Sequence, residues 1–138
     1  MTINKQPIDT ESAPQAIGSY SQGVLSGDWL FISGQIALDP VTALLVGEDV
    51  TTQADRVMRN IRGILAAAGG DLSNLLKVTI YLADMADFQG VDSVYSRYVS
   101  PPYPARATVA VKGLPKGALV EIEAVARIFI NIDSSDDS

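Results

Sequence analysis

The sequence predicts an α+β fold, a β-β-α-β-α-β-β sandwich with two helices on one face of a mixed sheet. Three observations point to it. Runs with a period of two recur near both ends and in the middle of the chain, and each leaves one apolar face. Two other stretches place apolar residues three and four apart, as a half-buried helix requires. Turn residues separate these runs, so strands and helices alternate within a single domain spanning residues 1–130.

Residues 1–14 lack periodicity and carry Pro7 and Pro14, which predicts a loose N-terminal arm. Gly23-Val24-Leu25-Ser26 and Trp29-Leu30-Phe31-Ile32-Ser33-Gly34-Gln35-Ile36 are joined by Gly27-Asp28, a two-residue turn suited to a hairpin. Gly34 inside the second strand signals either a bulge or a close approach by another backbone or a ligand. Asp39-Pro40-Val41-Thr42 is a turn.

From Val50, the residues Ala54, Val57, Met58, Ile61, Ile64, Leu65 and Ala68 follow helical spacing. Asp49 or Thr51 supplies the cap, and Gly69-Gly70 stops the helix. Gln53, Asp55, Arg56, Arg59 and Arg62 fall on its other sides and read as a solvated face. Lys77-Val78-Thr79-Ile80-Tyr81-Leu82 alternates as a strand with Val78, Ile80 and Leu82 inward. Strand, helix and strand in succession predict a right-handed crossover with parallel pairing.

Asp84 or Asp87 caps a second helix running to about Val99, with Phe88, Val91, Tyr95, Tyr98 and Val99 as its apolar stripe. At about 100° per residue, Asp92 falls about 20° from Val99 and about 40° from Phe88. A carboxylate within the stripe either reaches solvent at the stripe's edge or lines a pocket. Gly90 weakens this helix by roughly 1 kcal/mol relative to Ala.

Pro101, Pro102 and Pro104 then hold the chain extended just before Arg106. Alternation sets Ala107, Val109 and Val111 against Arg106, Thr108 and Ala110, and Val120, Ile122, Ala124 and Ala126 against Glu121, Glu123 and Val125. Gly113-Leu114-Pro115-Lys116-Gly117 has the turn chemistry to join the two runs as an antiparallel hairpin, its second strand continuing through Phe129. With both apolar faces on one core, Arg106 sits opposite Glu123 or Val125, on the side of Glu121 and Glu123. Residues 131–138 form an acidic, Ser-rich tail expected to be disordered.

The composition excludes much. The 138 residues include no cysteine and no histidine, which removes disulfides, thiol nucleophiles, the usual metal ligands and the usual general base. Catalysis must use carboxylates, Arg, Lys, Tyr, hydroxyls, backbone groups and water; no metal or other cofactor is expected. A net charge of −6 without a cluster of Lys or Arg disfavours nucleic acid. No leader and no bilayer-spanning run is evident, so a cytoplasmic protein with no membrane partner is expected.

Hydrophobic residues make up 47% of the chain, high for a monomer of this size. The face of the sheet away from the helices is expected to mix Arg106, Thr108, Glu121, Glu123, Val125, Arg127 and Phe129, which suits burial against sister subunits with pockets at the seams. Read alone, Arg106 with Glu121 and Glu123 is a cross-strand ion pair on a solvated face, such as contributes little, and a weak signal of function.

Several strings resemble the RidA/YjgF family, the reactive-intermediate deaminases also described as endoribonuclease L-PSP or translation inhibitors. They are Ala16-Ile17-Gly18 with Tyr20-Ser21-Gln22, Ser33-Gly34-Gln35-Ile36 followed by Asp39-Pro40 and Thr42, Asn60-Ile61, and Ala66-Ala67-Ala68-Gly69. Asp84-Met85 with Asp87-Phe88, Pro104-Ala105-Arg106, Leu114-Pro115-Lys116 and Val120-Glu121-Ile122-Glu123-Ala124 complete the set, in order, over residues 13 to about 127.

The resemblance implies a homotrimer with sites in the clefts between subunits, and hydrolysis of 2-imino acids to 2-keto acids and ammonia. It implies that Arg106 clamps the substrate carboxylate and that Glu121 orients or deprotonates the attacking water. Tyr20 would line the pocket from one subunit against Arg106 of another, and backbone groups near Ser33, Gly34 and Ala107 would hold the amine end. A non-catalytic module binding small carboxylates is the alternative, with ribonuclease or translation-inhibitor activity disfavoured by charge.

Three departures stand out: Ser19 where the family commonly has proline, Ala43-Leu44-Leu45 in place of Gly-Glu, and Asp92 at a position that is often Asn in the deaminase branch. A carboxylate near the pocket would repel an anionic substrate or, if protonated by burial, change its hydrogen bonding.

Overall fold

A computed structural model describes residues 4–129, so the tail expected over 131–138 lies outside the described residues. Strands β1 (Gln6–Ile8), β2 (Gly23–Ser26), β3 (Trp29–Gln35), β4 (Leu75–Leu82), β5 (Ala105–Ala110) and β6 (Val120–Arg127) form one sheet in the order β1-β2-β3-β6-β4-β5. Helices α1 (Val50–Ala67) and α2 (Phe88–Tyr95) pack on it. Among the described residues, only β4 and β5 pair in parallel.

The core lies between helices and sheet. Leu30 and Ile32 of β3, Val78, Ile80 and Leu82 of β4, and Val120 and Ile122 of β6 meet Val57, Ile61, Ile64 and Leu65 of α1 and Val91 and Val94 of α2. Each such side chain contributes about 1.5–3 kcal/mol when fully buried. Asp49 caps α1 by accepting from the Thr52 N–H at 2.7 Å, and Gly69 closes it at a φ of +92° that disfavours a side chain. The β2–β3 hairpin forms as the Gly27-Asp28 turn predicts.

Five expectations are corrected. The N-terminal arm is not loose over its described part: β1 pairs with β2, and Ala13 is fully buried. Gln22 holds it, donating through Nε2 to the Pro14 carbonyl at 2.8 Å and accepting from the Thr10 N–H at 2.8 Å. The expected hairpin of β5 and β6 does not exist, because β4 lies between them and residues 115–117 form a short 3-10 turn in a crossover. The strands flanking α1 run parallel but are not neighbours, since β6 is inserted between β3 and β4.

Gln53 is not solvated. It is 2% exposed, donating to the Gly47 carbonyl at 3.1 Å and accepting from the Leu119 N–H at 2.8 Å, which ties the loop before α1 to the entry of β6. Finally, α2 ends at Tyr95 instead of near Val99, after a separate 3-10 turn capped by Asp84. Gly90 keeps α2 close to α1, for a β-carbon there would stand 3.2 Å from Val50 Cγ1.

Candidate active site

Two clefts hold the predicted residues other than Ala107. The first, about 470 Å³, is lined by Tyr20, Ser33, Gly34, Glu121, Glu123 and Lys116 among others. It forms where β3 breaks step with β6: the pairing shifts between Ile32 and Gln35, and the Glu121 carboxylate lies over Gly34. Gly34 is therefore the bulge, and what approaches it is neither another backbone nor a ligand but the Glu121 side chain of β6. Ser33 is already engaged, its Oγ donating to the Ser21 carbonyl at 2.6 Å. Tyr20 is half exposed at the rim, its hydroxyl accepting weakly from the Ile17 N–H at 3.4 Å.

Burial, reinforced by the charge of Glu123, raises the Glu121 carboxyl above its ordinary value. Glu123 is one alternation along the same face and accepts from the Tyr81 hydroxyl at 3.0 Å, a bond that raises the Tyr81 value. Glu121 makes no such bond to a side chain among the described residues. It is thus the carboxylate left available to take a proton from water, while Glu123 is held in a structural pair.

The second cleft, about 440 Å³, is lined by Asp92, Tyr95, Ser96, Val99, Tyr103, Pro104 and Arg106. Arg106 stands in register with Val78, whose side chain is buried beneath the helices, so the arginine emerges on the helix side of the edge strand β5. Its Nη1 donates to Asp92 Oδ1 of α2 at 2.5 Å, and its guanidinium lies 5.5 Å from the Phe88 ring centre and 5.2 Å from that of Tyr95. Two aromatic faces and one carboxylate aim the fork.

This corrects the predicted constellation. Arg106 is not on the side of Glu121 and Glu123: β5 is half a period out of the expected register, and the two clefts share no lining residue. Tyr20, Ser33, Gly34 and Glu121 come together; Arg106 and Asp92 form a separate pair. Ala107, in register with Thr79 on the other face of β5, lines neither cleft. Asp92 faces a pocket, as one of its two readings required.

Sequence reasoning did not assign Tyr95, Tyr103 or Lys116 to a cleft, and it set Thr108 on the face away from the helices, whereas Thr108 shares the helix side of β5 with Arg106. The Tyr95 hydroxyl and Thr108 Oγ1 are buried without a hydrogen-bond partner among the described residues. Lys116, at a φ of +57° in the turn before β6, was signalled by its place in the Leu114-Pro115-Lys116 string.

The profile of the family described as endoribonuclease L-PSP matches residues 10–128. The chain belongs to this family, the RidA/YjgF proteins. Among its relatives, the 2-iminobutanoate/2-iminopropanoate deaminase of Capra hircus is 48% identical over 125 residues, covering 91% of each chain. The crystal structure of RidA from Psychrobacter sp. PAMC 21119 is 46% identical, covers 89% of this chain and 99% of its own, and superposes with a TM-score of 0.86. E. coli TdcF, solved with bound serine, is 37% identical with a TM-score of 0.85, covering 90% and 99%. RidA-family members thus share both the fold and nearly the full length of this chain.

Proposed function

We propose that this protein hydrolyses 2-imino acids, the tautomers of 2-enamino acids, to 2-keto acids and ammonia, as a cytoplasmic homotrimer. The observation that carries the reading is the division of the site: an aimed guanidinium on one face and a carboxylate of raised proton affinity in a cleft on the other. Neither half suffices alone. A subunit seam that sets the Arg106 cleft of one protomer against the Glu121 cleft of the next completes the site, and Trp29, Phe31 and Val109 supply exposed apolar surface for such a seam.

In the joined site the Arg106 fork holds the substrate carboxylate and Glu121 accepts a proton from water as its oxygen adds to the imine carbon. Glu121 passes that proton to the nitrogen, the carbinolamine hydroxyl then gives its proton to the nitrogen as the C–N bond breaks and the C=O forms, and ammonia leaves the keto acid. Every atom comes from substrate and water. The deaminase name of the Capra hircus relative and the serine bound to TdcF, an amino acid of similar size, support the substrate class.

The test is keto-acid formation from an imine generated by an amino-acid oxidase. Purified protein should accelerate it, and Arg106→Ala should abolish the acceleration while light scattering still reports a trimer. Equal rates for wild type and Arg106→Ala overturn the proposal. A second reading, binding of small carboxylates without turnover, is favoured by the Arg106 cleft being formed without Glu121; calorimetry showing keto-acid binding with no hydrolysis would establish it.

A further inference from the structure

Among the residues lining the Arg106 cleft, Arg106 is the one cation and Asp92 the one anion, so the cleft is electrically balanced before any ligand arrives. Asp92 is the more accessible partner, its side chain 45% exposed against 27% for Arg106. It occupies Nη1 and, among the described residues, leaves Nε and Nη2 of the fork open, since a guanidinium carries five donors. A ligand carboxylate that takes the open edge then shares one guanidinium with Asp92. Two carboxylates on one arginine leave an uncompensated negative charge, and like charges at this separation disfavour binding unless a cation joins them.

A ligand bearing a cationic nitrogen beside its carboxylate supplies that cation. We propose that Asp92 acts as a charge filter, pairing with the iminium or ammonium nitrogen of a zwitterionic 2-imino or 2-amino acid and rejecting the 2-keto acid monoanion. Asp92 is then a specificity-determining residue that separates substrate from product. This rests on the deaminase reading for its physiological meaning, though the selectivity itself is a property of the Arg106 cleft. Its consequence is that the product, having lost the nitrogen, is repelled by the group that welcomed the substrate.

The test is calorimetric titration of the full chain with 2-oxobutanoate, a keto-acid monoanion, and with L-2-aminobutanoate, a stable zwitterion. Wild type should favour the zwitterion, and Asp92→Asn should shift the ratio of the two dissociation constants at least about tenfold towards the keto acid, equivalent to about 1.4 kcal/mol. Asp92→Ser, which removes the charge and shortens the side chain, should shift it the same way.

A ratio that stays within about threefold in both variants overturns the proposal, as does failure of all three proteins to bind either ligand. The imine-hydrolysis assay, run in parallel, separates the two ideas. Hydrolysis with an unmoved ratio removes the filter alone. A moved ratio without hydrolysis removes the deaminase reading and leaves the filter standing.

Discussion

A β-carbon on Gly34 would stand 2.3 Å from Oε2 of Glu121 and 3.0 Å from its Cδ, so the carboxylate occupies the space that any other residue at position 34 would fill. Gly34→Ala therefore moves Glu121. The obstructing atoms are the far end of a flexible side chain, so the fold accommodates the change while the carboxylate loses its placement. The expected result is a fall in kcat/KM for imine hydrolysis of about 100-fold, the scale of an ångström-sized misplacement, with little change in thermal midpoint. Unchanged activity would show that this approach does not position Glu121.

The raised proton affinity of Glu121 also predicts a pH dependence of stability. A carboxyl whose value is higher folded than unfolded binds its proton more tightly in the folded state. Its ionisation therefore opposes folding above the folded value, and that opposition fades as the pH falls through it towards the ordinary carboxylate value. Glu121→Gln should raise the thermal midpoint at about pH 8, and that gain should vanish as the pH falls towards the ordinary carboxylate range. A gain that grows on acidification would contradict the assignment.

The same pair shows where the sequence was legible. Local patterns sufficed for Trp29–Gln35, Val50–Ala67 and Val120–Arg127, because each has a full apolar face and clear punctuation. They did not suffice for β5, where Ala105, Ala107 and Ala110 are small on both faces and no large apolar side chain marks the inner one, which carries Arg106 and Thr108 instead. There Val109 is 42% exposed and Thr108 half-buried, the reverse of what β-branched hydrophobicity suggests. Insertion of β6 between β3 and β4 is a long-range choice, and the Gly113–Gly117 loop with its central proline reads the same in a crossover as in a hairpin.

Gln53 is the clearest case of identity misleading position. Its polar amide places it outside the helical stripe, yet it is buried because two backbone groups from distant segments need it. Gln53→Ala leaves the Leu119 N–H and the Gly47 carbonyl unpaired at once. The expected loss is about 1–3 kcal/mol in chemical denaturation, read as a lower midpoint with an unchanged slope. Since Leu119 precedes β6 directly, hydrogen exchange should quicken at the start of that strand before it does elsewhere.

Gln22 carries the corresponding burden at the N-terminal segment, and its removal should reach the site. Its Nε2 is shared among the carbonyls of Thr10 at 3.0 Å, Ala13 at 3.2 Å and Pro14 at 2.8 Å, while its Oε1 accepts from the Thr10 N–H. Gln22→Ala strips all four contacts from a residue that is 2% exposed, with an expected loss of about 1–3 kcal/mol. Pro14, Gln15, Ile17 and Tyr20 follow directly on the clamped segment and form one wall of the Glu121 cleft. A loosened wall weakens substrate binding without altering the carboxylate over Gly34. KM for the imine should therefore rise several-fold with kcat nearly unchanged, and limited proteolysis should cut the chain before β2. A fall in kcat at constant KM would instead place Gln22 in the positioning of Glu121.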